Sequence, residues 1–405
     1  MPSAQQVVVT GLGTVNPLAG STAEFAAALR AGSSAIQPLM LFDTTDYRSR
    51  IAAQVPDDTP PRGLPPSLRR RLSRSDVFAL RAAAEALAES GVAADTAPDR
   101  IGLALGGTTA GMLRAEECLR ARLEHRIDRY LPDPILGSPI SASADVVARV
   151  FGIAGPRLSL STACSSSANA LGTALDWIRL GRADAVVTGG TESLCRMTFA
   201  GFNALHALSL EPCRPFDRRR SGLSLGEGAA ILVVESAARA ARRGVRVHAE
   251  LVGYGNSADA HHLTAPHPEG LGAVLAMRRA LAGAGLRPEQ IDYINAHGTG
   301  TPLNDAVEAG AIRTVFGDPA ACPAVSSTKG AVGHTLGAAG AIEALATVLA
   351  LRDGFLPPTV NLDEADPSWG LDFVPRRSRA ASPRYALSNS YGFGGNNTSV
   401  VLARA

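Results

Sequence analysis

The sequence predicts an α/β protein built from two similar halves, and three features point there. Apolar runs that read as strands alternate with segments of helical period along all 405 residues. Several of those strands run straight into glycines, as at residues 7–13, 101–107 and 185–190. The pattern then restarts: Ala-Glu-Leu-Val-Gly-Tyr-Gly at 249–255 echoes Val-Val-Val-Thr-Gly-Leu-Gly at 7–13. Strand–helix alternation argues for parallel-rich sheets. The restart places the halves at about 1–245 and 246–405, a length that suits two units better than one small core.

The elements follow in order. After the strand at 7–13, Thr22 caps a helix running to about Arg30. Residues 56–66 are Pro-rich and irregular. Val77, Leu80, Ala83 and Leu87 give 73–90 a helical face, and 101–105 is a short buried strand. Residues 111–129 are charged and helical, and 131–140 form a Pro-bearing loop. A strand at 157–161 feeds a helix at 165–180, whose apolar face is Ala168, Leu171, Leu175 and Ile178. Strands at 185–190 and 229–235 close the first half. The second half reads as a strand at 249–255, helix 271–284, strand 293–296, helix 305–315, strand 324–326 and helix 337–352. Strands at 371–374, 385–388 and 398–402 complete it.

Composition excludes several classes. Apolar residues make up 46% and charged residues 19%, too apolar for a disordered chain. A net charge of +2 argues against a nucleic-acid binder. No run of 18 apolar residues offers a membrane span, and the first residues lack the basic and apolar regions of a secretory signal. Five cysteines, widely spaced and without a CxxC, fit neither a disulfide framework nor a zinc site, so a reducing cytoplasm is the expected compartment. Of 39 basic residues, Lys329 is the only lysine. A chain that uses arginine elsewhere kept one compact ammonium, the group suited to burial beside chemistry.

Four stretches carry that chemistry. In Ser-Thr-Ala-Cys-Ser-Ser-Ser (161–167), a strand delivers Cys164 to a helix start among small residues. A lone cysteine is otherwise a small buried hydrophobe. At a helix N-terminus, free amides and the macrodipole favour a thiolate, so a depressed pKa is expected, and the same amides can hold an oxyanion. In Asn-Ala-His-Gly-Thr-Gly-Thr-Pro (295–302), His297 follows a strand into a Gly-rich turn, and Asp305 and Glu308 read as capping and first-turn residues of the next helix. In 326–340, Lys329 precedes His334 by five residues, and a neighbouring ammonium keeps an imidazole neutral and able to donate one N–H. In 389–397, Phe393 stands among glycines that let it swing. His261, His262 and His267 lack a partner at metal-ligand spacing and read as loop residues.

These stretches, in this order, resemble the β-ketoacyl-acyl-carrier-protein synthases of the thiolase superfamily. The likeness is nearest the synthase II type and the ketosynthases of type II polyketide systems. It also covers 9–15, Gly-Gly-Thr-Glu (189–192), Arg-Pro-Phe-Asp (214–217), Gly-Glu-Gly-Ala (226–229) and 355–361. The resemblance implies a five-layered αβαβα fold of two similar halves, no cofactor, and substrates carried on the phosphopantetheine of an acyl carrier protein. It implies a homodimer, or a heterodimer with a chain-length partner.

By the same resemblance, Cys164 is the acyl-accepting nucleophile, and His297 and His334 promote decarboxylation. Lys329 supports the second histidine. The amides of Cys164 and Phe393 form the oxyanion hole, and Phe393 gates the site. Thr299 and Thr301 meet the phosphopantetheine arm. Asn295, Glu343, Ser388 and Asn389 match a polar cluster that in some relatives holds a monovalent cation; no metal is needed for the chemistry. Arg70 and Arg74, in an arginine-rich stretch, are expected to dock the acidic carrier. Ala115, where relatives tend to carry a larger aliphatic residue, is expected to line an acyl pocket beside Cys164. With a shortened 207–217 segment, it favours a specialised polyketide or polyene pathway over housekeeping fatty-acid elongation. A non-catalytic chain-length subunit would lack the nucleophile. A thiolase would carry a second cysteine near its C-terminus, and the second histidine motif weighs against a Cys–His hydrolase.

Overall fold

The computed structural model describes residues 5–128, 132–318 and 321–405. The first four residues, read above for a leader, therefore lie outside the described residues, as do 129–131 of the 111–140 stretch. Ten strands form one sheet: β1 (Val7–Val15), β2 (Ile101–Gly106), β3 (Arg157–Leu160), β4 (Ala185–Glu192), β5 (Gly228–Ser236), β6 (Ala249–Ala258), β7 (Tyr293–Asn295), β8 (Ala324–Ser326), β9 (Tyr385–Gly392) and β10 (Asn396–Ala403). Outward from the centre, one side runs β1-β5-β4-β2-β3 and the other β6-β10-β9-β7-β8, so one strand order occurs twice. The two sides meet through β1 and β6 at only two residue pairs, Val8 with Glu250 and Val9 with Ala249.

Nine helices matter for the site: α1 (Thr22–Ala31), α2 (Arg74–Ser90), α3 (Met112–Leu123), α4 (Ser141–Phe151), α5 (Ser166–Arg179), α6 (Arg196–Ala204), α7 (Leu271–Ala284), α8 (Pro302–Phe316) and α9 (Ala339–Asp353). α2 and α4 cover the outer face of the first half-sheet, and α7 and α8 that of the second. α5 and α9 touch strands of both half-sheets and form the middle layer. The result is the five-layered αβαβα arrangement.

Each layer boundary is an apolar core. Phe78, Leu80, Val147 and Ile231 fill the first, Leu171, Leu175, Leu345 and Leu349 the central one, and Met277, Ile294, Ile312 and Val401 the last. α9 is buried on every face from Ala339 to Leu351, as a helix enclosed by protein must be. It approaches α5 closely because Gly340 has no side chain: a Cβ there would sit 2.8 Å from the Cβ of Ala168.

Four local expectations are corrected. The sheet is mixed: β2–β3, β2–β4, β7–β8 and β7–β9 are parallel and the other five pairs antiparallel, because the last strand of each half reverses against its neighbours. Ser21, not Thr22, caps α1, its hydroxyl accepting from the Glu24 amide. The described part of 111–129 is helical only to Leu123, and a short helix, Pro132–Leu136, interrupts the loop after it. Residues 371–374 are no strand: Phe373 bridges Val325, and Pro375 has no N–H to carry the ladder on. No helix among the described residues is long and apolar enough to cross a membrane.

The α5–α9 crossing gives a stability test. Gly340→Ala should destabilise the fold by about 1–3 kcal/mol through overpacking. Urea unfolding would show it as a lower midpoint; an unchanged midpoint would mean that Ala168 has room to move.

Candidate active site

Cys164 stands in the elbow between β3 and α5. Ala163, just before it, has φ 53°, a conformation that a non-glycine residue holds only when its surroundings impose it. Hydroxyls impose it here. The Thr162 amide donates to Ser166 Oγ (2.9 Å), Ser165 Oγ donates to the Thr162 carbonyl (2.8 Å), and Ser166 Oγ donates to the Ala163 carbonyl. Cys164 is only 7% exposed. Burial pushes its pKa up to about 12, against the pull of Lys329 and the Phe393 amide. The expected depression is thus corrected: α5 begins two residues later, and desolvation outweighs the favourable charges.

Phe393 lies in the turn between β9 and β10. The end of β9 rests on the elbow so closely that a Cβ on Gly392 would stand 3.0 Å from the Cys164 nitrogen. The Phe393 ring stacks on Phe202 of α6, with centroids 5.5 Å apart.

His297 leaves the end of β7. Its amide and that of Gly298 donate to the two oxygens of Glu308, each at 2.8 Å, and the Thr299 and Gly300 amides donate to Asp305. These two carboxylates therefore do not cap α8, whose N-cap is Thr301; they reach back and fix the turn that carries His297. Burial raises Glu308 to about 7.

Lys329 is 1% exposed. Its ammonium donates to the His297 carbonyl (2.6 Å), to His297 Nδ1 (3.3 Å) and to Glu343. It thus touches His297 rather than its sequence neighbour His334, because its side chain runs toward the end of β7. Burial raises Glu343 to about 7 even with Lys329 beside it. A cation at Nδ1 puts the His297 proton on Nε2. His334 Nδ1 accepts from the Leu336 amide (3.2 Å), so its proton is on Nε2 as well. Burial first, and Lys329 second, hold both imidazoles well below 6.5. The two rings stand 5.2 Å apart, edge to face.

Cys164, His297 and His334 share one cavity of about 360 Å³ with Phe202, Phe393, Thr299 and Thr301. The two threonine hydroxyls are 2.9 Å apart. Below it, Asn295 and Ser388 are register partners on β7 and β9, and Asn295 Nδ2 donates to the Glu343 carbonyl (3.4 Å). Asn389 accepts from Ser399 (2.7 Å). Asn295 Oδ1, Glu343 Oε2 and Ser388 Oγ are buried without a partner among the described residues.

Two family models match the chain: the N-terminal domain of beta-ketoacyl synthases over residues 4–240 and the C-terminal domain over 248–363. The chain belongs to the β-ketoacyl synthase family. This β-ketoacyl synthase, a condensing acyltransferase, is 41% identical to 3-oxoacyl-[acyl-carrier-protein] synthase 2 of Coxiella burnetii over 99% of both chains. Among solved structures it is similar to the ishigamide ketosynthase/chain length factor, at 36% identity and a TM-score of 0.94 over the full length of both chains. It is also similar to the type II polyketide complex AntDE:AntF, at 31% identity and a TM-score of 0.92 over the full length of both chains.

Two of the residues expected at the site lie elsewhere in the synthase. Arg74 opens α2 with its side chain 13% exposed, paired with buried Glu227 and with Asp58, and it donates to the Val55 carbonyl (3.0 Å). It is a structural ion pair and offers no docking surface; Glu227, 153 positions away, left no trace in the local sequence. Arg70 is exposed. Ala115 is half-buried on α3 and does not line the cavity of Cys164. Its helix turns toward α6 instead, where Glu116 accepts from the Arg196 and Met197 amides (2.9 and 2.8 Å). Sequence reasoning passed over Phe202, whose only signal was an aromatic on a short helix.

The buried imidazoles set a pH dependence. Below 6.5 the unfolded chain binds protons that the native site refuses. Stability from each histidine is present above that pH and is lost as pH falls, by about 1.4 kcal/mol between pH 7.5 and 5.5. Urea unfolding should show wild type losing about that much more than His334→Gln over this interval. Equal losses would mean that native His334 takes up the proton.

Proposed function

We propose that this synthase elongates a carrier-bound acyl chain by decarboxylative Claisen condensation, with Cys164, His297 and His334 as its reacting residues. One observation carries the reading: a thiol and two Nε2–H imidazole donors, all buried, converge on a single cavity. Cys164 attacks the acyl thioester, and the carrier's sulfur leaves with the thiol proton. The tetrahedral oxyanion is held by the Cys164 and Phe393 amides. A malonyl thioester then loses CO₂. The electron pair of the broken C–C bond moves into an enolate, whose oxygen accepts from His297 and His334. The enolate carbon attacks the acyl-Cys164 carbonyl, forming the new C–C bond and releasing the thiolate for reprotonation. Neutral donors suit this chemistry, since they stabilise the charge as it grows.

Lys329 acts as a positioning residue that keeps Nδ1 of His297 unprotonated. Phe393, stacked on Phe202, gates the cavity, and Thr299 and Thr301 meet the phosphopantetheine arm. Substrates arrive on an acyl carrier protein, with Arg70 part of its docking face. No cofactor enters these steps. The buried oxygens of Asn295, Glu343 and Ser388 are an all-oxygen set that fits a hard monovalent cation, with Asn389, next in sequence to Ser388, the fourth member of the cluster. We read residues 1–245 as the unit of the nucleophile and 246–405 as the unit of the two histidines; the repeated strand order supports this. The edge strand β3, with Leu158 exposed, and the apolar face of α3 at Leu119 and Leu123 support a homodimer, or a heterodimer with a chain-length partner; its free cysteines suit the cytoplasm. The likeness to a ketosynthase/chain length factor and to a type II polyketide complex supports a specialised polyketide pathway; the 41% identity to a synthase 2 supports fatty-acid elongation as the second reading.

Mass spectrometry after incubation with a panel of acyl-carrier thioesters should find the acyl group on Cys164 alone and rank the chains accepted. Cys164→Ala should abolish loading. His297→Ala and His334→Ala should cut condensation on the order of 10²–10³-fold while sparing self-acylation. Loading at another cysteine, or condensation within a few-fold of wild type, would overturn these roles. Lys329→Arg should be damaging, since a planar guanidinium cannot replace the compact ammonium; full activity would remove its role.

For docking, Arg70→Glu should raise the apparent KM for the carrier substrate at low salt without changing the melting temperature. Arg74→Glu should lower the melting temperature instead, through the buried Glu227. An unchanged KM for Arg70→Glu would exclude it from the docking face.

A further inference from the structure

Glu192, the last residue of β4, is fully buried and has no part in the mechanism above. No arginine or lysine among the described residues pairs with it. Five hydrogen-bond donors converge on it instead. Oε1 accepts from the Thr109 amide (2.8 Å) and hydroxyl. Oε2 accepts from the Thr108 amide (2.8 Å), the Thr108 hydroxyl and the Gly337 amide (3.0 Å). Four of these donors belong to the turn after β2, in the first half-sheet. The fifth belongs to the turn that carries His334.

That second turn is strained. Leu336 has φ 48°, unusual for a branched side chain. The Leu336 amide sets the tautomer of His334 by donating to Nδ1. Gly337 follows directly and is pressed onto the first half: a Cβ there would lie 2.6 Å from Gly107. A strained turn persists only where its surroundings fix it, and the bond from Glu192 to Gly337 fixes it to the sheet.

We propose that Glu192 is a positioning residue for His334: by holding the Gly337 amide it keeps the Leu336 amide on Nδ1, and so keeps Nε2–H turned into the cavity. A carboxylate suits the place because all five partners are donors; a carboxamide would set its own N–H groups against some of them. The same negative charge also raises the Cys164 thiol, which gives an independent readout.

The proposal rests on the role given to His334, so the test is a double-mutant cycle. Single-turnover condensation and Cys164 acylation are measured for wild type, Glu192→Gln, His334→Ala and the double variant. Glu192→Gln should slow condensation on the order of 10²-fold, as misplacement of a reacting group does, without slowing acylation. In the His334→Ala background it should have no further effect. Alkylation of Cys164 by iodoacetamide should shift to lower pH in Glu192→Gln, since a negative charge has gone. Multiplying losses in the double variant, or wild-type condensation in Glu192→Gln, would overturn the proposal. Wild-type condensation in His334→Ala would instead sink the underlying reading, and this inference with it. If Glu192→Gln does not fold, Glu192→Asp takes its place in the cycle. It keeps the charge but is too short to hold both turns, and full condensation in the folded variant would equally overturn the proposal.

Discussion

The buried ammonium of Lys329 is the constraint on which the site depends. An isolated charge at that depth would be prohibitive, so every N–H of the ammonium is used: one on Glu343, one on the His297 carbonyl and one on His297 Nδ1. Its consequences spread in two directions. Its positive charge adds to burial in keeping both imidazoles neutral. Its hydrogen bonds lock β7, the 329–332 turn and the start of α9 into one arrangement. Arginine, which serves every other basic position, would bring a wide planar fork to a space that holds a point charge.

Around this centre the protein places negative charge to hold backbone rather than to react. Glu308 and Asp305 gather the amides of the 297–300 turn, Glu227 gathers those of Val55 and Leu194, and Glu192 those of 108, 109 and 337. Each of these four carboxylates is held by backbone amides, the strong use of a charged acceptor. The active-site turns can therefore be rich in glycine and still be fixed.

Much of this was legible in the sequence, for local reasons. Strand–glycine junctions and the lone lysine marked the positions of Cys164, His297, Lys329 and His334 because chemistry at strand ends is a local signal. What escaped was non-local. That Lys329 serves His297 rather than His334 depends on where the chain leaves β7, at His297, 32 residues earlier. That Arg74 is buried depends on Glu227. Ala115 was placed by a position count along a variable helix, which carries no information about the direction the helix faces. The high pKa of Cys164 reflects packing density, which no motif encodes.

The sparse β1–β6 seam has a consequence for how the chain becomes an enzyme. With two residue pairs in the seam, the halves are held together mainly by the middle layer. α5 comes from one half and α9 from the other, and each buries against both sheets. A first half emerging alone from synthesis would display Cys164 and the naked inner face of α5 with neither His297 nor His334 near the thiol. Neither half can then be a self-sufficient folding unit, and the thiol acquires its chemical surroundings only when the second half docks and brings His297, His334 and Phe393 to it. Catalytic competence and completion of the fold are one event.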